Sequence, residues 1–348
     1  GQGTGKTQTL IQWIEHCLAQ TNTAPTQLLA ITFTNKAAEE LKARLTALLG
    51  EQAQAVHTGT FHAVAYQLLQ MRYPALQTVY DDEDRQWALA FLFPALKPTR
   101  RQQLARALVR YFETGHGADF EGLSSYVERY EAHLQQHQAV DLAAILQQLL
   151  QLWKQEPDWL AQHRARYACL AVDELQDINP LQYQFIQALG QEKNILAIGD
   201  PDQAIYGFRG ADVQLFFQFQ QDFAATTLAL EEHYRSTGTI VQAAQALIQH
   251  NTVRSGLQLQ AKKSQGARLS VFEADNEREE AMYVTKQIKT HVGGVDNLAL
   301  GLHDTGTHTF DDIAVLFRQR AVGQSLFAQL RKAGIPAHFS DGTSFLAH

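Results

Sequence analysis

The chain opens Gly1-Gln2-Gly3-Thr4-Gly5-Lys6-Thr7, a run that can grip a phosphate. Alternate glycines let the backbone curl until successive N–H groups face an anion. Lys6 then brings a point charge to the β and γ phosphates of a nucleotide, and Thr7 offers a hydroxyl to Mg²⁺. A helix-like stretch follows from Gln8, and its positive end would face the same phosphates. The run meets the last seven positions of the phosphate-loop pattern G-x-x-x-x-G-K-[ST]. A glycine-rich turn before a helix is the plainer alternative.

A second chemical run is Cys169-Leu170-Ala171-Val172-Asp173-Glu174-Leu175-Gln176-Asp177. It places two carboxylates at the end of an apolar strand. Beside a phosphate loop, Asp173 would hold Mg²⁺ and Glu174 would take a proton from an attacking water. Alone, the pattern suits a solvated acidic loop equally well. A third run, residues 198–211, leaves another strand in a tight loop carrying Gln203, Tyr206, Phe208 and Arg209. Gln203 and Arg209 could meet a γ-phosphate, and Tyr206 and Phe208 could stack on bases. A loop touching both ligands could couple them. The alternative is an ordinary loop with two buried aromatics.

Something must hold these residues in place. Short apolar runs at 28–33, 169–172, 195–198, 227–230 and 313–317 read as buried strands of a parallel sheet. The stretch after Thr34 puts Ala37, Ala38, Leu41, Leu45 and Leu48 on one helical face. Strand, loop, helix and strand in alternation make an α/β fold. From about 66 to 164 the pattern becomes helical, with Leu142, Ile145, Leu146, Leu149 and Trp153 on one stripe. This predicts an all-helical insertion whose core holds Trp87, Trp153 and Trp159. After about 240 a new unit begins, with a strand at 268–272, a helix over 279–288 and a surface loop at 291–309.

A chain of 348 residues exceeds one ordinary core and implies two or three domains. Its 45% hydrophobic and 19% charged residues exclude a disordered chain. No apolar stretch reaches the roughly 18 residues of a membrane span, and no basic-then-apolar run that would read as a secretory signal stands in the chain. Cys17 and Cys169 have no metal-ligand spacing and fit a reducing cytoplasm. The net charge of −7 argues against a broadly basic nucleic-acid surface. It leaves room for local contacts to a single strand through loops and aromatic platforms.

In this order, the motifs resemble the superfamily 1 helicases of the UvrD, Rep and PcrA group. The residues are Gly1 to Thr7; Ile31-Thr32-Phe33-Thr34-Asn35-Lys36-Ala37-Ala38; Gly59-Thr60-Phe61-His62; Asp173 to Asp177; Gly199 to Ala211; and Tyr234-Arg235-Ser236-Thr237. Residues 312–342 resemble the family's D-I-A-V-L-x-R and A-G-I-P segments. The resemblance implies a P-loop NTPase of RecA-like type. Residues 1–65 and 165–240 would form the first motor domain, 66–164 the inserted subdomain, and 241–348 the start of a second motor domain.

The resemblance also implies ATP and Mg²⁺ as ligands, cradled by Gly1 to Gln8, with Thr7 and Asp173 on the metal. Tyr234 would stack on adenine and Arg235 would reach the γ-phosphate. Thr32, Thr34, Asn35, Phe61, His62, Tyr206 and Phe208 would grip single-stranded DNA. ATP-driven movement would run 3′ to 5′, on single strands and at single/double-strand junctions, beside repair or replication proteins. Many relatives have Trp where Phe208 stands, and Asn where His233 stands, so stacking should be weaker and one hydrogen bond shifted. The family's upstream glutamine segment and its last two motifs have no counterpart here. The expectation is weak nucleotide binding and no unwinding by this chain alone.

Two other functions fit the same motifs: a subunit of a helicase–nuclease complex, and a nucleotide-gated DNA-binding scaffold with a dead motor. The second would be expected to have lost at least one of Lys6, Thr7, Asp173, Glu174, Gln203, Arg209 and Arg235. Other signals carry less. His291, His303, Asp304 and His308 fit no defined ligand spacing. Asp81 to Asp84 read as an acidic helix start. Arg100, Arg101, Arg106 and Arg110 make a basic face that suits solvent or duplex DNA.

Overall fold

The computed structural model describes residues 3–20, 23–115, 120–293 and 308–339. Contacts divide the chain into a unit Gly1–Ala267 and a unit Arg268–His348.

In the first unit the phosphate-loop candidate runs into α1 (Lys6–Gln20), which buries Leu10, Ile14 and Cys17 along one face. β1 (Leu28–Thr32) is buried throughout. α2 (Asn35–Leu49) starts where Thr34 Oγ1 accepts the Ala37 N–H at 3.1 Å. β2 (His57–Thr60) leads directly into α3 (Phe61–Arg72), capped in the same way by Thr60. Next come β3 (Thr78–Tyr80), α4 (Asp82–Leu92), α5 (Pro98–Thr114), α6 (Leu123–Gln136), β4 (Ala139–Asp141), α7 (Ile145–Gln155) and α8 (Pro157–Arg166). The chain returns through β5 (Cys169–Val172), α9 (Pro180–Gly190), β6 (Asn194–Ala197), α10 (Gln214–Asp222), β7 (Glu232–His233), α11 (Gly238–Ile248) and β8 (Gln260–Ala261).

The main sheet has the order β2-β1-β5-β6 and is parallel throughout. A parallel sheet needs cover on both faces, and strand alternation supplies it. Leu29, Ile31, Leu170 and Val172 pack with residues of α3, α7 and α9. Leu28, Ala30, Cys169 and Ala171 pack with residues of α1 and α2 on the other side. Ile31 pairs with Val172, and Val172 with Ala197, so the strands end nearly level. The segments holding Thr34, Phe61, Asp173 and Gln203 all leave this one edge, where parallel sheets bind ligands.

The insertion has its own core, built on Leu89, Leu104, Leu108, Phe112, Val127 and Tyr130. It is not all-helical. β3 and β4 pair in parallel, Val79 opposite Val140. Segments of three residues are too short to leave a period-2 signature. The buried Asp141 carboxylate accepts from Arg85 Nε at 2.7 Å and Nη2 at 2.8 Å, from Tyr130 OH at 2.7 Å, and from the Ala143 N–H at 2.9 Å. Arg85 spends its remaining arm on Asp82 at 2.5 Å. The acidic start of α4 is a cap: Asp81 accepts from the Glu83 and Asp84 N–H groups. Trp153 is core, Trp159 packs partly buried, and Trp87 is not core at all, with 81% of its surface exposed.

The second unit holds α12 (Glu277–Val292) and α13 (Arg320–Lys332), packed through Ile288, Leu330 and Ile335. Three expected strands, at 227–230, 268–272 and 313–317, form no ladder. A strand exists only where a neighbour accepts and donates its backbone hydrogen bonds. None flanks these segments among the described residues, and Leu228, Val271 and Leu316 are exposed. Conversely β2, whose sequence His57-Thr58-Gly59-Thr60 has no apolar run, is a strand because β1 pairs with it. Most of the loop at 291–309, with His303 and Asp304, lies outside the described residues. No helix among those described is long and apolar enough to cross a membrane.

Candidate nucleotide and single-strand site

Gly3 and Gly5 take φ of +87° and +88°, a region that glycine enters without strain. Gly3 is also required for space, because a Cβ there would lie 2.5 Å from Arg235 Cβ. The Tyr234 N–H donates to Gly3 O at 2.9 Å. The loop after β7 therefore lies against the phosphate-loop candidate, with Tyr234 and Arg235 both exposed beside it. His233 is buried in this contact, and its Nδ1 accepts the Ser236 N–H at 3.2 Å, shaping the turn. Gly1 and Gln2 fall outside the described residues, as does the side chain of Arg209. Thr4 is buried, Thr7 half-buried and Gln8 exposed.

Lys6 begins α1. Its ammonium is buried, faces Glu174 Oε2 at 3.6 Å, and has no hydrogen-bond partner among the described residues. A buried ammonium without acceptors costs several kcal/mol, on the order of the penalty for any desolvated ion, so this geometry suits a polyanion such as a triphosphate. Burial, and then the neighbouring charge of Glu174, push the Asp173 carboxyl up to about 6. Burial and Glu174 do the same to Asp177, also to about 6, and Asp177 Oδ1 is buried without a partner. Crowded, under-satisfied carboxylates fit a divalent cation. No three His, Cys, Asp or Glu side chains converge into a cage among the described residues.

Glu174 adopts φ +52°, ψ +48°, a left-handed conformation that costs a non-glycine residue about 1–2 kcal/mol. Its neighbours hold it there. The Leu175 N–H donates to Ile198 O at 3.0 Å. Gln176 Nε2 donates to Glu174 Oε2 at 2.9 Å and to Asp177 Oδ2 at 3.1 Å. Gln176 Oε1 accepts the Asp200 N–H at 2.8 Å. At Gly199 a Cβ would lie 2.7 Å from that same oxygen, so glycine permits the approach. The Asp200 carboxylate accepts from Gln203 Nε2 and from the Asp202 N–H. Polar contacts thus run from Lys6 through Glu174, Gln176 and Asp200 to Gln203. Gln176 and Asp200 were not singled out from sequence. Their signal was only their place inside two motifs.

Beyond Gln203 the loop turns aromatic. Phe33 lies 5.2 Å from Tyr206, and Tyr206 lies 6.0 Å from Phe208. Phe208 is 80% exposed. Phe33, unremarked in the sequence beyond its motif, opens this row. Two expected strand contacts are corrected. Phe61 is 1% exposed and edge-on to Phe185 at 5.9 Å, so it seats α3 and has no face left for a base. Thr32 is buried, and its hydroxyl donates to Thr34 O at 3.1 Å. Thr34 and Asn35 remain on the exposed start of α2. Burial lowers His62 to about 4, so at neutral pH it presents an uncharged ring.

Residues 1–224 match the UvrD/REP helicase N-terminal domain, and residues 228–348 match the UvrD-like helicase C-terminal domain. The chain is 31% identical over 367 residues to an ATP-dependent DNA helicase PcrA of Leuconostoc citreum, covering 99% of this chain and 48% of that protein. It is 32% identical over 365 residues to DNA helicase II of Escherichia coli K12, covering 99% and 49%. A PcrA helicase of Staphylococcus epidermidis is 30% identical over 366 residues, with coverage of 99% and 49%. The chain spans about half the length of the curated relatives it matches.

Proposed function

The chain belongs to the UvrD/REP helicase family, and we propose that it forms the ATP-hydrolysing front of a DNA translocase moving 3′ to 5′ along a single strand. The observation that carries this reading is the continuous polar run from Lys6 to Gln203, ending in the exposed Tyr206–Phe208 loop. It supports one machine in which a nucleotide and a strand are sensed by the same loop.

Residues 1–65 and 165–240 make the first motor domain, 66–164 its insertion, and 241–348 the beginning of a second. Gly1 to Gln8 cradle the triphosphate, and Lys6 meets its β and γ phosphates. Thr7 and Asp173 would hold Mg²⁺, which would supply charge neutralisation at the transferred phosphoryl group. Glu174 accepts the proton of the attacking water, and its left-handed backbone keeps the carboxylate beside Lys6. Gln203, Arg209 and Arg235 surround the γ-phosphate, where planar guanidinium groups suit developing charge. Tyr234 covers the adenine. Tyr206 and Phe208 stack on bases, while Thr34, Asn35 and His62 donate to the strand. Junction DNA, and repair or replication proteins of the cytoplasm, are the partners this function calls for.

The test is ATP hydrolysis by the full-length protein with and without single-stranded DNA, beside a Lys6→Ala control. Strand-stimulated turnover should appear, and should vanish in the control while strand binding persists. Unstimulated turnover with intact strand binding would sink the motor reading in favour of a scaffold.

A further inference from the structure

One face of α4 carries Asp84, Trp87, Ala88 and Phe91, at spacings of three, four and seven residues. Trp87 is 81% exposed and Phe91 75% exposed. They flank a cavity of about 500 Å³ whose floor is Ala88 and whose walls include Tyr80 and His133. The aromatic rings form a connected set. Tyr80 lies edge-on to His133 at 6.1 Å, Phe91 lies 6.0 Å from it, and the His137 ring lies tilted against it at 4.1 Å. Neither Trp87 nor Phe91 belongs to the insertion's core, which closes beneath them through Leu89 and Phe93. Large aromatics presented this way mark recognition surfaces.

The charge around the cavity selects its ligand. Asp84 lines it, and Asp82 and Glu83 share the same exposed turn. No lysine or arginine is among the lining residues. The nearby arginines are committed elsewhere, Arg85 to Asp141 and Asp82, and Arg129 over the Phe93 ring at 4.7 Å. Electron-rich ring faces beside a carboxylate attract a cation. A guanidinium fits best, since it can lie flat on Trp87 while its N–H fork meets Asp84. Phosphate would meet the acidic turn and be repelled. We infer that this cavity is a docking site for an arginine side chain in a basic segment of a partner protein. The site lies outside the nucleotide and strand machinery and does not rest on the function proposed above.

The test uses a fluorescein-labelled peptide of arginines alternating with glycine, read by anisotropy. Its citrulline counterpart keeps the shape and removes the charge. The arginine peptide should bind saturably, and the citrulline peptide should not. Trp87→Ala and Asp84→Asn should each weaken binding about tenfold, with unchanged melting temperature, because Trp87 is exposed and Asn keeps an acceptor for the Asp81 N–H. Equal affinity for wild type and Trp87→Ala would show diffuse attraction to an acidic surface and overturn the inference. So would direct binding of labelled oligothymidine that Trp87→Ala abolishes, which would make the face a nucleic-acid surface.

Discussion

Arg85 and Lys6 are both buried cations, one in the helical insertion and one at the edge of the parallel sheet. Arg85 is closed off on every side, by two bonds to Asp141 and one to Asp82, with Tyr130 and the Ala143 N–H completing the carboxylate's shell. Lys6 has a carboxylate at 3.6 Å and no hydrogen bond among the described residues. Around it Asp177 keeps an unpartnered oxygen and Glu174 sits in a strained conformation. Complete satisfaction makes a buried charge a fastening. Incomplete satisfaction, in a place the chain still holds rigidly, makes it a receptor for something else.

The sharpest way to break this contrast is Asp141→Ala. It leaves Arg85 buried without its main partner and should cost about 3–5 kcal/mol of stability, read by urea denaturation. A loss under about 1 kcal/mol would mean the closed network is not a fastening. Lys6→Ala should behave in the opposite manner. Turnover should fall by about 10²–10³, while the melting temperature holds or rises, since a poorly satisfied charge is removed. A clear fall in melting temperature would put Lys6 in the same class as Arg85. Phe208→Ala touches neither type of charge. It should weaken single-strand binding by about 1–3 kcal/mol and leave stability alone, because Phe208 is exposed.

His163 sharpens the comparison at its weak end. Its Nε2 is buried without a partner, like Lys6, yet it stays uncharged. Burial, and then the charge of Arg166, lower it from 6.5 to about 4, and its ring packs edge-on to Trp159 at 4.4 Å. The unfolded chain therefore binds a proton that the folded one refuses between those values. His163 therefore contributes stability that is lost as pH drops from 6.5 towards 4, while the raised carboxyls of Asp173 and Asp177 act in the opposite direction. His163→Phe keeps the ring and should flatten part of that slope in thermal melts at stepped pH. An unchanged slope would assign it to the other histidines that burial lowers, His62, His57 and His133.

The sequence was most readable where local chemistry and local structure coincide. Lys6, Asp173, Glu174 and Gln203 stand at the ends of elements whose apolar runs and caps are visible in the chain, and the fold brings them to one edge. Residues whose role depends on a distant partner were hidden. Gln176 looks like any amide until Asp200 arrives from another strand, and Phe33 looks like a strand terminus until Tyr206 lies beside it. Phe61 misled in the other direction, because a motif aromatic at a helix start does not reveal which way its ring turns. Trp87 misled for the converse reason, since large aromatics are usually core and this one faces water. The three expected strands without ladders share one cause: an apolar run reports a wish to be buried, and pairing needs a second segment.

The parallel pairing of Thr78–Tyr80 with Ala139–Asp141 sets entry and exit of the helical insertion side by side, roughly 4.8 Å apart as neighbouring strands are. The helices α4, α5 and α6 lie between these two strands in the chain, and α5 also touches α7 and α9. Such a segment is a cassette. It could be lengthened, shortened or exchanged over evolutionary time without moving Lys6, Glu174 or Gln203, so new surfaces can be tried on this motor without retuning its chemistry.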